Sequence, residues 1–283
     1  MINIKILKLG GSLFTDKNAS TGTVKIDIVE QLAFELGEYV LKQDKKKVSL
    51  VLALGTGSFG HQPAKQYKVL QKFNPMGTIE TYKSVARLSS IILQVLNKHN
   101  INAVPVDIMS CVVAKNGRIK SLYIDTIQLL IQNGFVPVIL GNVVMDIETK
   151  VSIVSSDQIA TYLAKELDAN ALGFGSKEEG VYDASKMIIK EINNKNFGDF
   201  EKYIGASEFP DVTDGMLGKV REILQESPVD ACIFNAKKSG NILRFLRGEQ
   251  FGTKIVGYGT DSTNNISKVV TIESKINSKK VNA

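Results

Sequence analysis

Tryptophan is absent from this chain of 283 residues, and it has only two histidines, two cysteines and six prolines. Each shortage removes a class of chemistry. With His61 and His99 as the only imidazoles, a transition-metal cage has too few ligands. Cys111 and Cys232 stand far apart and share no motif with a histidine, so they read as reduced, buried thiols in a cytoplasmic protein. Long apolar runs are lacking as well. The longest, Phe135 to Met145, is broken by Pro137 and Asn142 and falls short of the ~18–20 residues that a membrane span needs. Met1-Ile2-Asn3-Ile4-Lys5 leads into a strand-like segment with no apolar signal core, so neither a membrane nor a secretory route is expected.

Arginine is scarce: five of the 35 basic residues, against 29 acidic ones and a net charge of +6. Nucleic-acid readers lean on arginine forks and on basic stripes interleaved with aromatics, and neither occurs here. No nucleic-acid partner is expected. The Lys45-Lys46-Lys47 run reads as the solvated end of a helix, and the positive balance suits a small anionic substrate as well as a polyanion. What remains, 43% hydrophobic and 23% charged residues, is the composition of a globule long enough to bury a core without disulfide or metal staples.

Short apolar runs alternate with helical periodicity. Ile4–Leu9, Val48–Leu54, Asn102–Ile108, Phe135–Leu140, Ala169–Phe174, Ala231–Phe234 and Lys254–Val256 read as strands. Ile28, Leu32, Leu36 and Val40 mark one helical face, opened by Asp27 and Glu30 in capping-box spacing. Val85, Leu88, Ile92 and Leu96 mark another, and further helices are expected at Leu122–Gln132 (closed by Asn133-Gly134), Gln158–Leu167 and Met216–Leu224. Strand–helix alternation with almost no tight hairpin turn predicts an α/β fold: three αβα layers around a largely parallel sheet. The Lys-, Ser- and Asn-rich stretch 277–283 reads as a frayed tail.

Ligands in such sheets bind beyond the carboxyl ends of the strands, so the loops there carry the chemistry. The first strand ends in Lys8-Leu9-Gly10-Gly11-Ser12, where two glycines let backbone N–H groups approach an anion beside a lysine. The second ends in Gly55-Thr56-Gly57-Ser58-Phe59-Gly60-His61. This satisfies G-x-G-x-x-G, but no acid follows at the ~20-residue spacing that a dinucleotide site requires, so that reading is set aside. A conventional G-x-x-x-x-G-K-[ST] phosphate loop is absent from the sequence. Gly141 ends a third strand. Ser155-Ser156-Asp157 opens a helix for which Asp157 is a good N-cap. Gly215 begins another helix, with Lys219 one turn in. Glycine loops, lysines and helix N-termini without a nucleophile–base pair suit phosphoryl transfer by positioning and charge neutralisation.

In this order the motifs resemble those of the amino acid kinase superfamily, and within it the isopentenyl phosphate kinase branch. The resemblance runs through Lys8–Ser12 with Thr15-Asp16-Lys17, Gly57–His61, Gly141, Ser155 with Asp157, Gly180–Asp183, Asp211–Thr213 with Gly215-Met216 and Lys219, and Gly240 to Thr253. It implies an enzyme that transfers the ATP γ-phosphoryl group to isopentenyl phosphate, with Mg²⁺, as a cytoplasmic homodimer. Lys8, Lys17, His61, Asp157 and Lys219 would form the catalytic set, with Asp157 orienting two of the lysines. Lys8, Gly10, Gly11, Ser12, Gly57, Gly215 and Lys219 would hold ATP. Gly55, Thr56, His61, Gly141 and Ser156 would hold the acceptor. Residues 1–168 would form an acceptor-binding lobe and 169–276 an ATP-binding lobe. The sequence departs from the family pattern at Leu54, Thr56, Asn142, Ser156, Ser176–Glu179 and Asp214. Those departures leave two alternatives: a kinase of the same fold for another small phosphate or phosphonate, and a non-catalytic nucleotide-binding relative.

Overall fold

The computed structural model describes residues 3–16, 22–42, 49–204 and 215–260. Lys17, the Lys45–Lys47 run, Asp211–Asp214 and the tail 277–283 lie outside the described residues. The first elements are β1 (Lys5–Leu9), α1 (Gly11–Phe14), α2 (Ile26–Lys42), β2 (Leu50–Leu54), α3 (Ser58–Gln66) and α4 (Pro75–Lys98). There follow β3 (Ala103–Pro105), α5 (Ile108–Cys111), β4 (Val112–Lys115), β5 (Arg118–Leu122), α6 (Ile124–Gln132), β6 (Val136–Leu140), β7 (Asn142–Asp146) and β8 (Lys150–Val154). The rest are α7 (Ser156–Glu166), β9 (Ala171–Ser176), β10 (Glu191–Ile192), α8 (Phe197–Ile204), α9 (Gly215–Glu226), β11 (Ala231–Asn235), α10 (Asn241–Leu246) and β12 (Thr253–Ile255).

The described strands form an eight-stranded sheet in the order β10-β12-β11-β9-β1-β2-β6-β3. Every pairing in it is parallel except β11 with β12. β1 lies between β2 and β9, so the chain leaves the central strand to one side and later returns to the other. The crevice at that switch point opens at the carboxyl ends of the strands. Side chains alternate across β1. Leu7 and Leu9 pack with Leu32 and Leu36 of α2 and Leu88 and Ile92 of α4, whereas Ile6 packs with Ile159, Ala160 and Leu163 of α7. This is the three-layer αβα arrangement, with a buried apolar cluster on each face of the sheet.

A second sheet, in the order β5-β4-β7-β8, corrects the expectation of a fold nearly free of hairpins. β4 and β5 join through Asn116-Gly117, with φ of 49° and 76°, the two left-handed residues of a tight hairpin turn. Asn-Gly is the strongest short hairpin signal, and here it lies inside a stretch that the expected pattern treats as a connection. The strand expected at Asn102–Ile108 ends at Pro105, and the start of the helix expected at Leu122 belongs to β5. The Asp27–Glu30 capping box does not form. Glu30 reaches across to Lys98 and His99 at the end of α4, and these partners hold its carboxyl below its ordinary pKa. Glu35, buried within α2, accepts the N–H groups of Gly240 and Ile242 and so caps α10 from a distant part of the chain.

Buried Asp146 holds the second sheet together. Its carboxylate accepts N–H groups from Asn116 (3.2 Å), Gly117 (2.8 Å), Glu148 (2.9 Å) and Thr149 (3.0 Å), tying both hairpin turns to one side chain. Burial alone raises its pKa, but the N–H groups of Gly117, Thr149 and Glu148 help to outweigh burial and hold it well below the usual range. Asp146→Asn is expected to cost about 3 kcal/mol, because the amide presents a donor where only donors point at it. That corresponds to roughly 6–12 °C in Tm. A group with a depressed folded pKa contributes its stability above its unfolded pKa and loses it as pH falls towards the folded value. Thermal melts from pH 7 to pH 3 should therefore show the two proteins converging below about pH 4. A constant gap throughout that range would contradict this role.

Candidate active site

Lys8 shares the Ile6 face of β1, so its side chain runs under α7, and it remains buried. Its ammonium meets the carboxylate of Asp157, in the first turn of α7, with Nζ 2.6 Å from Oδ1. The side chains are 7% and 15% exposed, so water screens this pair little. Burial opposes ionisation of Asp157. Lys8 and Lys219 outweigh it and hold its pKa below the ordinary value. The sequence offers Asp157 as a helix cap; in the structure the cap is Ser155, whose Oγ accepts the N–H of Gln158 at 3.2 Å. Asp157 is thereby left to organise lysines from two other elements.

The loops after β1 and β2 interlock so closely that only glycine fits. A Cβ on Gly11 would lie 2.2 Å from the nitrogen of Gly57 and 2.7 Å from the carbonyl oxygen of Gly55. One on Gly55 would lie 2.5 Å from the nitrogen of Gly11. Gly57 has a φ of 51°, which glycine adopts without strain. Buried Thr15 stitches the loops together: its hydroxyl donates to the Gly11 carbonyl (2.9 Å) and accepts from Ser58 N–H (3.3 Å). Gly10 is different, since a Cβ there would make an ordinary contact 3.6 Å from the Gly175 oxygen.

The two loops and the starts of α7 and α9 enclose a polar cavity of about 140 Å³. Lys8, Gly10, Gly11, Ser12, Gly55, Thr56, Gly57, His61, Gly141, Ser156, Asp157, Gly215 and Lys219 all line it. Of the residues expected at the site, Lys17 alone lies outside the described residues. The starts of α3, α7 and α9 border the cavity, and their free N–H groups and dipoles favour an anion there. Ser155 and Ser176, which the resemblance names without a role at the site, and Gly175, which was not singled out from sequence, also line it. Gly175 and Ser176 end β9, so small residues at a strand terminus were the available signal.

A second cavity of about 350 Å³ adjoins the first and is largely apolar, lined by Ala64, Leu70, Val85, Val143 and Ile153 among others. Thr56, His61 and Gly141 line both cavities, so they stand at the junction. His61 lies in the first turn of α3, where its N–H donates to the Gly57 carbonyl at 3.1 Å. The departure at Thr56 is accommodated by Gly60, whose missing Cβ leaves room for the threonine hydroxyl. Asn142 accepts the N–H of Val143 through its own side chain and lines the apolar cavity.

A sequence model of the amino acid kinase family matches residues 3–235, and this chain belongs to that family. It is 33% identical over 262 residues to the isopentenyl phosphate kinase of Methanocaldococcus jannaschii, a match covering 89% of this chain and 98% of that protein. The isopentenyl phosphate kinase of Methanothermobacter thermautotrophicus is 32% identical over 271 residues, with the same shares covered. Among solved structures, an isopentenyl phosphate kinase superposes with a TM-score of 0.75 at 30% identity, covering 90% of this chain and all of that one. N-acetylglutamate synthase from Neisseria gonorrhoeae shares the fold at 12% identity, with a TM-score of 0.63.

Proposed function

We propose that this protein is a small-molecule kinase that transfers the γ-phosphoryl group of ATP to isopentenyl phosphate, giving isopentenyl diphosphate and ADP. The observation that carries this reading is the junction at His61, where a polar cavity rich in anion-binding groups meets an apolar one. A molecule with a phosphate head and a short hydrocarbon tail suits both at once. The full-length similarity to isopentenyl phosphate kinases supports the same acceptor.

An oxygen of the acceptor phosphate attacks the γ-phosphorus in line, and the bond from that phosphorus to the β,γ-bridging oxygen breaks to release ADP. No general base is needed, because a phosphate monoester with its second pKa near 6 is largely dianionic at neutral pH. The protein's task is to bring two anions together. Lys8 and Lys219 neutralise charge on the transferring group, and Asp157, held ionised between them, fixes their positions. Gly10, Gly11, Ser12, Gly57 and Gly215 bring backbone close to the ATP phosphates. His61, with Gly55, Thr56, Gly141 and Ser156, holds the acceptor phosphate. Lys17 is assigned to the transferring group by the family resemblance alone.

Mg²⁺ fits this site as a companion of the nucleotide. No cluster of three or more metal-ligating side chains occurs among the described residues, and the cavity's carboxylate, Asp157, already faces two lysines. The phosphates would supply most of the ligands, and the ion would neutralise their oxygens. The proposal extends to an acceptor-binding part in residues 1–168 and an ATP-binding part in 169–276. The apolar cavity is lined from residues 56–153, which supports the first of these. A homodimer and a cytoplasmic location belong to the same proposal, and light scattering tests the former. No helix of the described residues is long and apolar enough to cross a membrane.

Coupled ADP release with ATP, Mg²⁺ and isopentenyl phosphate tests the reading. His61→Ala is expected to raise the acceptor KM by about 10–100-fold, the worth of a hydrogen bond to a charged group, with the ATP KM within about twofold. Folded wild type that releases no ADP overturns the activity, and a panel of other phosphates and phosphonates then separates a different acceptor from a silent relative.

A further inference from the structure

The second sheet lies beside the polar cavity without lining it through β4 or β5, yet it grips both helices that supply charge to the site. On α7, the Gln158 side chain is clamped to the β4–β5 hairpin: its Oε1 accepts Ile119 N–H at 2.7 Å and its Nε2 donates to the Gly117 carbonyl at 3.1 Å. Gln158 is the residue after Asp157. On α9, the Arg118 guanidinium at the start of β5 binds Glu222 through two parallel bonds, Nη1 to Oε2 at 2.6 Å and Nη2 to Oε1 at 3.0 Å. The same Nη2 lies 3.2 Å from Glu226. Glu222 is largely buried and stands three positions after Lys219, on the same side of the helix.

The two helices are also joined directly. Thr161 Oγ1, one turn beyond Asp157, lies 2.9 Å from Glu222 Oε1. The Thr161–Glu222 contact thus ties α7 to α9 one turn along α7 from Asp157, which lines the same cavity as Lys219. A lysine has a long, freely rotating stem, whereas a bidentate arginine–carboxylate pair has one geometry. The rigid contact at Glu222 therefore fixes the stretch of α9 from which Lys219 projects.

We infer that the β4–β5 hairpin is a bracket that registers α9 against α7, with Arg118 as a positioning residue that acts on phosphoryl transfer through Glu222 and Lys219. The inference rests on the kinase reading above. It gives a function to the Asn116-Gly117 hairpin and to Asp146 beneath it: they hold Arg118 and Gln158 at a fixed offset. Nothing in the reaction requires Arg118 to touch a substrate.

The test is a double-mutant cycle on the full chain. Arg118 is half exposed, so Arg118→Ala should fold. It is expected to lower kcat about tenfold and raise the ATP KM severalfold, with the acceptor KM within about twofold, because displacing a charged group by a fraction of an ångström suffices for such losses. Arg118→Lys, which cannot form two parallel bonds, should fall in between. In a Lys219→Ala background Arg118→Ala should change kcat by less than about twofold, since the group it positions is gone. An unchanged kcat in Arg118→Ala, or an equal loss in both backgrounds, would overturn the bracket. If wild type releases no ADP with isopentenyl phosphate, the activity reading fails by itself. ATP titration then decides the bracket: Arg118→Ala must weaken ATP binding when Lys219 is present and not when it is alanine, and any other pattern refutes it.

Discussion

Lys8→Met should leave a folded protein whose kcat is about 10²–10³-fold lower, the cost of losing one preorganised charge at the developing transition state. Methionine matches the lysine stem in length and keeps the packing beneath α7, so the change isolates the ammonium. Its loss has a second consequence, because the Asp157 side chain is only 15% exposed and its ionised state depends on Lys8 and Lys219. Removing one partner of a buried pair usually costs about 3–5 kcal/mol, and the remaining Lys219 places this case at or below the low end. Stability and catalysis can be separated. In Lys8→Met/Asp157→Asn the unbalanced charge is gone, so Tm should return most of the way to wild type while kcat stays low. Melting curves and ADP release on the two single variants and the double variant make the comparison. A Lys8→Met enzyme retaining kcat within a few-fold would remove Lys8 from the catalytic set.

Gly11→Ala carries the second large effect, and it acts through the backbone. The added methyl would point at the nitrogen of Gly57 and the carbonyl of Gly55, and no side-chain rotation can relieve that contact. The two loops must separate, which breaks the Thr15 bridge between Gly11 and Ser58 and widens the polar cavity. Overpacking of this kind costs about 3 kcal/mol, and a shift of an ångström in positioning groups costs about 10²-fold in rate. Gly10→Ala is the internal control for stability. Its methyl meets only an ordinary contact, so its Tm should move by no more than about 2–3 °C. Equal destabilisation by the two substitutions would show that the interlocked loops are not the reason for glycine at position 11.

The contrast between these neighbouring glycines marks where sequence stops being informative. Local patterns carried the strand–helix alternation, because periodicity along a segment records which face it buries. They also singled out residues that line one cavity, since Lys8, Gly57, Gly141 and Asp157 all fall close to where a strand gives way to a loop or helix. Long-range pairings were not legible. Glu30 has the spacing of a local cap but binds Lys98 and His99 from another helix. Asp157 has the chemistry of a cap, yet Ser155 takes that role and leaves the carboxylate for Lys8. The Asn116-Gly117 turn was readable in principle, but a hairpin inside an α/β pattern gives no sign of what it grips.

By itself, then, the sequence determined the fold class, the glycine-rich loops at the strand ends and the family resemblance, because each depends on residues close together in the chain. Only the tertiary structure decided that Gly11 is confined and Gly10 is not, that Asp157 faces Lys8 and Lys219 together, and that Arg118 reaches the helix carrying one of them. Each of those facts depends on how two distant segments approach in space. That distance is set by the packing of helices on a shared sheet, and no short stretch of residues encodes it.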